Sequence, residues 1–160
     1  MRALLQRVSR ASVRVADEDV ARIGPGLLIL LGVAAGDPPG AEERLAERCA
    51  SLRIFEDEAG RMNRSVIDVA GEALVVSQFT LVADVSRGRR PGFDPAAPPA
   101  EAEAAYGRFC EALERAGVVA VRRGRFGASM RVELVNEGPA TFLLETAADG
   151  AAPAPASRTA

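Results

Sequence analysis

Ala73-Leu74-Val75-Val76-Ser77-Gln78-Phe79-Thr80-Leu81 begins the most apolar run of the chain, residues 73–85. β-Branched residues are frequent in this run and turn signals flank it, which is typical of a strand buried in a sheet. Side chains alternate along a strand, so Gln78 and Thr80 would share one face. Polar groups there must bond to neighbouring backbone or line a cavity, because an unpaired buried hydroxyl or amide costs about 1–3 kcal/mol.

Around this strand, the sequence predicts two helices, several short strands and one long loop. Helical periodicity covers residues 41–52 and residues 100–116. A loop rich in Arg, Gly and Pro runs from residue 84 to residue 99, and loops of this length are often functional. Further strands are predicted at residues 3–16, 20–23, 27–33, 52–55, 118–121, 129–135 and 140–146, with a loop at residues 63–68.

These elements predict a single α/β domain over residues 1–147. We expect a mostly antiparallel, strongly curved sheet or partial barrel with two helices. Residues 148–160 are rich in Ala, Pro and Gly and lack periodicity, so they are predicted to form a disordered tail.

The residue types that are missing exclude several kinds of catalysis. There is no histidine among the 160 residues, which rules out Ser-His-Asp and Cys-His triads and histidine zinc sites. All 20 basic residues are arginine, so lysine nucleophiles and a P-loop lysine are excluded too. Cys49 and Cys110 are predicted to be core thiols. Catalysis would have to come from hydroxyls, backbone dipoles, carboxylates or the substrate, and we predict no metal and no cofactor.

Charge and hydropathy bear on location and partners. No run approaches the roughly 18 apolar residues that span a bilayer, and Arg2 and Arg7 interrupt the N-terminal stretch, so we expect a cytoplasmic protein without a membrane partner. The net charge of −2 argues against a protein that coats nucleic acid, and no DNA partner is expected. A protein that binds one RNA end needs only a local patch. Arg87-Gly88-Arg89-Arg90 and Arg122-Arg123-Gly124-Arg125 are either such patches or solvated loops.

Two motifs together resemble the D-aminoacyl-tRNA deacylase family of the D-tyrosyl-tRNA deacylase type. They are Ser77-Gln78-Phe79-Thr80-Leu81 and the later Asn136-Glu137-Gly138-Pro139-Ala140-Thr141. The resemblance covers residues 1–147 and includes Gln6-Arg7-Val8-Ser9-Arg10-Ala11-Ser12-Val13, Leu52-Arg53-Ile54-Phe55-Glu56-Asp57, Met62-Asn63, Gly88-Arg89-Arg90-Pro91 and Gly124-Arg125-Phe126-Gly127-Ala128.

The resemblance implies a reaction and a set of catalytic residues. Family members hydrolyse the ester between a D-amino acid and the 3′-terminal adenosine of tRNA. This similarity places Ser77, Gln78, Phe79 and Thr80 at the catalytic site, with backbone N–H groups around Phe79 and Thr80 as oxyanion donors. Thr80 either positions the reacting groups or acts as a covalent nucleophile. The second role needs an adjacent base, which the sequence does not offer.

The second motif has a different role by resemblance. In the family, the Gly-Pro peptide bond is cis and enters the active site of the other subunit of a homodimer. Gly138 and Pro139 would then exclude the side chain of an L-amino acid, but they would not exclude glycine. Arg7, Met130 and Asn136 are predicted to support this motif. A hairpin turn at Gly138-Pro139 is compatible with that role.

Two other functions remain possible interpretations of the sequence. The protein would be a binder of acylated tRNA ends without hydrolysis, or a proofreading hydrolase for misplaced L-amino acids. The intact motifs argue against both. The sequence departs from the family's usual pattern at Glu137, Ala140 and Gly92. The third departure lowers the expectation that the arginine loop, with Arg87, Arg89 and Arg90, contacts RNA.

Overall fold

The computed structural model describes residues 1–86 and 88–146. Arg87 and the predicted tail, residues 148–160, lie outside the described residues, and the predicted domain end at residue 147 stays a prediction. The elements are β1 (Arg2–Val15), β2 (Glu18–Ile23), β3 (Gly26–Gly32), α1 (Ala41–Ser51), β4 (Phe55–Glu56), β5 (Met62–Arg64), β6 (Glu72–Ser77), a 3₁₀ turn (Phe79–Val82), α2 (Pro99–Arg115), β7 (Ala120–Arg123) and β8 (Met130–Glu145).

The long strand β1 organises the sheet because it pairs with three other strands. Its first half pairs antiparallel with β3 and its second half with β2, while β8 pairs antiparallel along its other edge. β6 and β7 extend the sheet from β3 in parallel. The change of partner along β1 curves the sheet, and an ion pair between Arg125 and Glu18 (2.8 Å) connects the chain after β7 back to β2.

Two apolar cores fill the two faces of this sheet. On one face, α1 and α2 pack against alternate residues of β1, β3 and β6, with Phe109, Leu45 and Leu5 fully buried. The other core is enclosed by the strands themselves and includes Val13 and Leu74. Residues on both faces of β6 are therefore buried, as expected for a parallel strand inside an α/β sheet. The predicted α/β fold, with a curved sheet and two helices, is confirmed.

The predicted strand over residues 73–85 is wrong in its second half, because β6 ends at Ser77 and the chain turns. The last ladder pair joins Ser77 to Leu31, after which the Gln78 amide donates to the Leu31 carbonyl (2.7 Å). The turn then folds back over Gly32, where a Cβ would lie 3.0 Å from the Leu81 Cβ. Gly32 is the residue that leaves room for this close approach.

The two strands predicted on either side of Gly138-Pro139 form the single strand β8, and no hairpin turn separates them. Both halves of β8 run antiparallel to the same strand β1. Asn136 pairs with Val8 and Thr141 with Gln6, so residues 137–140 lie opposite Arg7 alone as a bulge. Smaller differences are the short pair of β4 with β5, which replaces a predicted strand at residues 52–55 and part of a predicted loop at residues 63–68.

The two cysteines are buried thiols within the apolar core, as predicted. Burial raises the pKa of Cys49 to about 12 and that of Cys110 to about 11. A thiol with such a pKa is protonated at neutral pH and is therefore a poor nucleophile.

Candidate active site

A cleft of about 710 Å³ opens where β6 ends. It lies between the sheet, the loop after the 3₁₀ turn and the start of α2. The residues that line it bear no formal charge and most are apolar. They are Leu31, Val33, Val76, Ser77, Gln78, Phe79, Phe93, Ala96, Ala97, Pro98, Pro99, Ala102, Tyr106, Phe126, Gly127, Ala128, Met130 and Val132.

The first predicted motif lies at this cleft. Ser77, Gln78 and Phe79 line it, whereas Thr80 is exposed on the adjoining turn. The Gln78 side-chain amide donates a hydrogen bond to the Thr80 hydroxyl oxygen. The Gln78 and Thr80 side chains therefore lie next to each other. A strand would also have placed them on one face, but here the 3₁₀ turn brings them together.

The turn leaves two backbone donors free. The Gln78 amide donates a hydrogen bond to the Leu31 carbonyl, and the Leu81 amide donates to the Gln78 carbonyl. Within residues 1–86 and 88–146, neither the Phe79 nor the Thr80 amide has a hydrogen-bond acceptor. Free N–H groups are expected in the first turn of a helix, because no carbonyl precedes them in register. Two adjacent donors thus lie beside the cleft.

Side chains distant in sequence fix the turn and the cleft wall. The Arg2 guanidinium donates to the Leu81 carbonyl (2.8 Å) and pairs with Glu145. The Tyr106 hydroxyl donates to the Val75 carbonyl (2.8 Å), and burial raises the pKa of this phenol well above its usual range, so it stays a neutral donor. Neither Arg2 nor Tyr106 has a site role that the sequence alone predicts, because both contacts join residues far apart in the chain.

The second predicted motif lies in the bulge of β8, and its Gly138–Pro139 peptide bond is cis. Both residues are exposed. Behind them, Arg7 is 7% exposed and donates to the carbonyls of Glu137 (3.0 Å) and Ile54 (2.7 Å). The Asn136 amide donates to the Arg7 carbonyl (3.0 Å). Arg7 and Asn136 therefore hold the base of the bulge.

The two motifs are far apart within the chain. Gly138 and Pro139 do not line the cleft, and β1 and β3 lie between β8 and β6 in the sheet. Met130 does line the cleft, and Gly138 is eight residues further along β8, roughly 26 Å at the usual rise of a strand. Met130 thus belongs to the cleft and not to the bulge of its own chain.

Known proteins resemble this chain over nearly its whole length. The family model described as D-Tyr-tRNA(Tyr) deacylase matches residues 4–145. The chain belongs to the D-aminoacyl-tRNA deacylase family. A D-aminoacyl-tRNA deacylase from Roseiflexus sp. (strain RS-1) is 60% identical over 147 residues, which are 92% of this chain and 94% of that protein. The predicted family and its enzyme class are confirmed.

Two solved structures share the fold. One, named c-Myc DNA Unwinding Element Binding Protein, is 41% identical, with a TM-score of 0.87 over 92% of this chain and all of that chain. The other, a probable eukaryotic D-amino acid tRNA deacylase, is 20% identical, with a TM-score of 0.79 over 89% of this chain and 97% of that chain. The second likeness supports the fold alone.

The predicted arginine patch lies on the loop beyond the cleft. Asp84 and Gly92 exchange two backbone hydrogen bonds of 2.8 Å, which close the loop between them. Arg89 and Arg90 are exposed on this loop, and neither forms an ion pair with a described residue. Arg87 lies outside the described residues.

The described residues include neither a cluster of metal ligands nor a membrane-spanning helix. In the part of the chain that the structure describes, no three His, Cys, Asp or Glu side chains are grouped so that they could hold a metal ion. No helix within residues 1–86 and 88–146 has the length and apolar character needed to cross a membrane.

Proposed function

We propose that this chain hydrolyses the ester that joins a D-amino acid to the terminal adenosine of tRNA. The observation that carries the proposal is the pair of free amides, Phe79 and Thr80, beside an uncharged cleft in a chain of this family. Water adds to the ester carbonyl carbon, the bond from that carbon to the ribose oxygen breaks, and the ribose oxygen takes up a proton. The products are a free D-amino acid and tRNA with its hydroxyl restored.

The two amides would stabilise the negative charge that develops on the carbonyl oxygen. A donor that is already fixed in place contributes about 3–4 kcal/mol to this step. The turn fixes both donors, because Leu31 and Arg2 hold backbone groups on either side of them. An aminoacyl ester is already activated, so no histidine, metal or cofactor is required by this mechanism.

Thr80 would position the reacting groups and not attack the ester itself. Its hydroxyl oxygen accepts a hydrogen bond from the Gln78 amide, which is a donor and cannot remove the hydroxyl proton. A threonine nucleophile needs a base in that place. Ser77 and Gln78 line the cleft and would contact the aminoacyl group.

Two subunits would form each complete site. The Gly138-Pro139 bulge is exposed and lies far from the cleft of its own chain, so it would enter the cleft of a second copy. There it would leave space for the side chain of a D-amino acid and exclude that of an L-amino acid. Glycine has no side chain, so we expect some cleavage of glycyl-tRNA.

The loop arginines Arg89 and Arg90, and by resemblance Arg87, would contact the phosphates near the 3′ end of tRNA. We propose that the substrate is aminoacylated tRNA in the cytoplasm. We propose neither DNA nor a membrane as a partner. The relative named for binding a DNA unwinding element makes a DNA competitor a useful control.

The decisive experiment measures label release from D-aminoacyl-, L-aminoacyl- and glycyl-tRNA on one tRNA, with and without EDTA and a DNA competitor. We expect fast release from the D ester, some from glycyl-tRNA, very little from the L ester, and no effect of EDTA or DNA. Tight binding without release would favour the RNA-binding alternative. Faster release from the L ester would favour the L-proofreading alternative.

Sedimentation at micromolar concentration tests the two-subunit site. We expect a dimer. An active protein that sediments as a monomer would remove the role of Gly138-Pro139 in a second subunit.

A further inference from the structure

Two phenylalanine rings are exposed together at the mouth of the cleft. The centroids of Phe79 and Phe93 are 5.0 Å apart, with an angle of 63° between the ring planes. Phe79 is 55% exposed and Phe93 is 43% exposed, although both also line the cleft. Aromatic rings dominate cores and binding interfaces because their burial is stabilising. Two exposed rings in contact therefore indicate a surface that a ligand covers.

The backbone fixes the position of Phe93. The Asp84–Gly92 pair closes the loop just before it, and the Ala96 amide donates to the Phe93 carbonyl (2.9 Å). The Ala97 amide then donates to the Val33 carbonyl (3.1 Å), which ties this segment to the end of β3. The ring is therefore presented by an ordered segment, and its exposure does not come from a loose chain end.

We propose that Phe79 and Phe93 form a stacking surface for the unpaired nucleobase that precedes the terminal adenosine of the substrate. This inference rests on the proposed function and adds a binding site for a second nucleotide. Aromatic side chains stack with any base, which suits an enzyme whose substrates share one single-stranded end.

The surroundings of the pair favour an RNA strand as its ligand. The cleft is uncharged and would take the ester and the terminal nucleoside, so the strand has to leave past its mouth. Arg90 precedes Phe93 by three residues, which places their Cα atoms at most about 11 Å apart. A cation at that distance from a stacked base is in reach of the phosphates on either side of it. Alternating aromatic and basic groups are typical of single-strand binding.

The experiment compares two D-alanyl esters, one on adenosine and one on the trinucleotide CCA. The ratio of kcat/KM for the trinucleotide ester to that for the adenosine ester measures how much the two extra nucleotides increase catalytic efficiency. In the unmodified enzyme we expect a ratio of roughly 5 to 150, the range for stacking of one base. Phe93→Leu should reduce this ratio at least about threefold, and Phe93→Tyr, which keeps a ring, should retain most of it.

Val85→Ala provides a matched control, because Val85 is an exposed apolar residue of the same loop segment that is not part of the ring pair. We expect its ratio to equal that of the unmodified enzyme. Equal kcat/KM for the two esters in the unmodified enzyme, or an unchanged ratio in Phe93→Leu, would overturn the stacking surface. A Phe93→Leu enzyme with altered D-to-L selectivity or sedimentation and an unchanged ratio would instead assign the rings to the subunit contact.

The two proposals fail in different ways. An enzyme that cleaves neither ester and no D-aminoacyl-tRNA contradicts the proposed function. An enzyme that cleaves all three but gains nothing from the added nucleotides contradicts the stacking surface alone.

Discussion

The end of β6 and the bulge of β8 are both places where regular strand pairing stops, but they are held in different ways. At the end of β6 the backbone folds inward over Gly32 and two amides remain free beside a cleft. In β8 the chain bulges outward, and the buried guanidinium of Arg7 holds its base. The concave region suits chemistry and the protruding one suits insertion into another molecule. Catalytic rate and selectivity should therefore be separable by mutation.

The largest effect is expected from Phe79→Pro compared with Phe79→Ala. Both variants lose the ring, but only proline also loses the N–H donor. Loss of one oxyanion donor typically lowers kcat by about 10²–10³-fold. We expect single-turnover rates of the proline variant to be lower than those of the alanine variant by at least about 100-fold, with an unchanged D-to-L ratio in Phe79→Ala. Equal rates in two folded variants would show that this amide does not stabilise the oxyanion.

The next effect concerns the support of the bulge. Arg7→Met leaves the carbonyls of Ile54 and Glu137 without their donor, and we expect a loss of about 2–3 kcal/mol in the free energy of unfolding. Urea denaturation at matched protein concentration measures it. Arg10→Met on the same strand is the control, since Arg10 is exposed and its loss should change stability by less than about 0.5 kcal/mol. Equal unfolding midpoints would contradict a supporting role for Arg7.

Variants of Thr80 test whether its hydroxyl positions the reacting groups or attacks the ester covalently. Thr80→Ala removes the acceptor of the Gln78 amide, and the loss of such an interaction costs about 1–3 kcal/mol, a decrease in kcat of roughly 5- to 150-fold. Thr80→Ser keeps the hydroxyl and should restore most of the rate. A trapped aminoacyl adduct on Thr80, located by mass spectrometry, would overturn the positioning role.

Gly138→Ala tests selectivity at the bulge. Within its own chain the new methyl group would lie 3.0 Å from the Asn136 amide oxygen, a tight contact that requires a small shift of that side chain, so the comparison is made on a variant whose urea denaturation midpoint is unchanged. In the cleft of a second subunit it would crowd the aminoacyl group that Gly138 and Pro139 are proposed to contact, and small misplacements reduce rates strongly. We expect kcat/KM for the D ester, and with it the D-to-L ratio, to fall by roughly tenfold. Gly107→Ala in α2, where a Cβ meets nothing within 4 Å, should keep both values. An unchanged ratio in Gly138→Ala would exclude the bulge from selectivity.

Much of the fold was predictable because periodicity and composition report burial directly. The two helices and the long apolar strands follow from that signal alone. It failed at residues 78–82, because Leu81 and Val82 continue the apolar run although β6 has ended. What ends the strand is tertiary: its ladder with β3 stops at the pair of Leu31 and Ser77, and Gly32 admits the turn that follows. No local pattern contains that information.

The candidate site, like the fold, was predictable only where the information is local in the sequence. Ser77 to Thr80 were proposed through resemblance to a family, and the lack of histidine and lysine in the chain fits the chemistry that the resemblance implies. The contacts that shape the site escaped prediction, because they join Arg2 to Leu81 and Phe93 to Phe79 across the chain. The Gly-Pro sequence is compatible with a hairpin turn and with a bulge, and only the shared pairing of both halves of β8 with β1 distinguishes them.

The smallest expected effect comes from Arg2, whose guanidinium donates to the Leu81 carbonyl within the 3₁₀ turn. This hydrogen bond is partly exposed, so its loss in Arg2→Met should cost about 0.5–1.5 kcal/mol. The lost ion pair with Glu145 should add little, since both side chains are about half exposed. Because the donors at Phe79 and Thr80 belong to the same turn, we expect kcat to fall by a few-fold while KM stays constant.

Arg48→Met is the matched control for Arg2→Met. The Arg48 guanidinium donates to the Glu145 carbonyl (2.7 Å), so this variant also loses a hydrogen bond at the end of β8 but leaves the turn untouched. If the turn is what matters, the two variants should lose similar stability and only Arg2→Met should lose kcat. Equal losses of kcat in both would mean that the anchoring of β8, and not the geometry of the turn, limits the reaction.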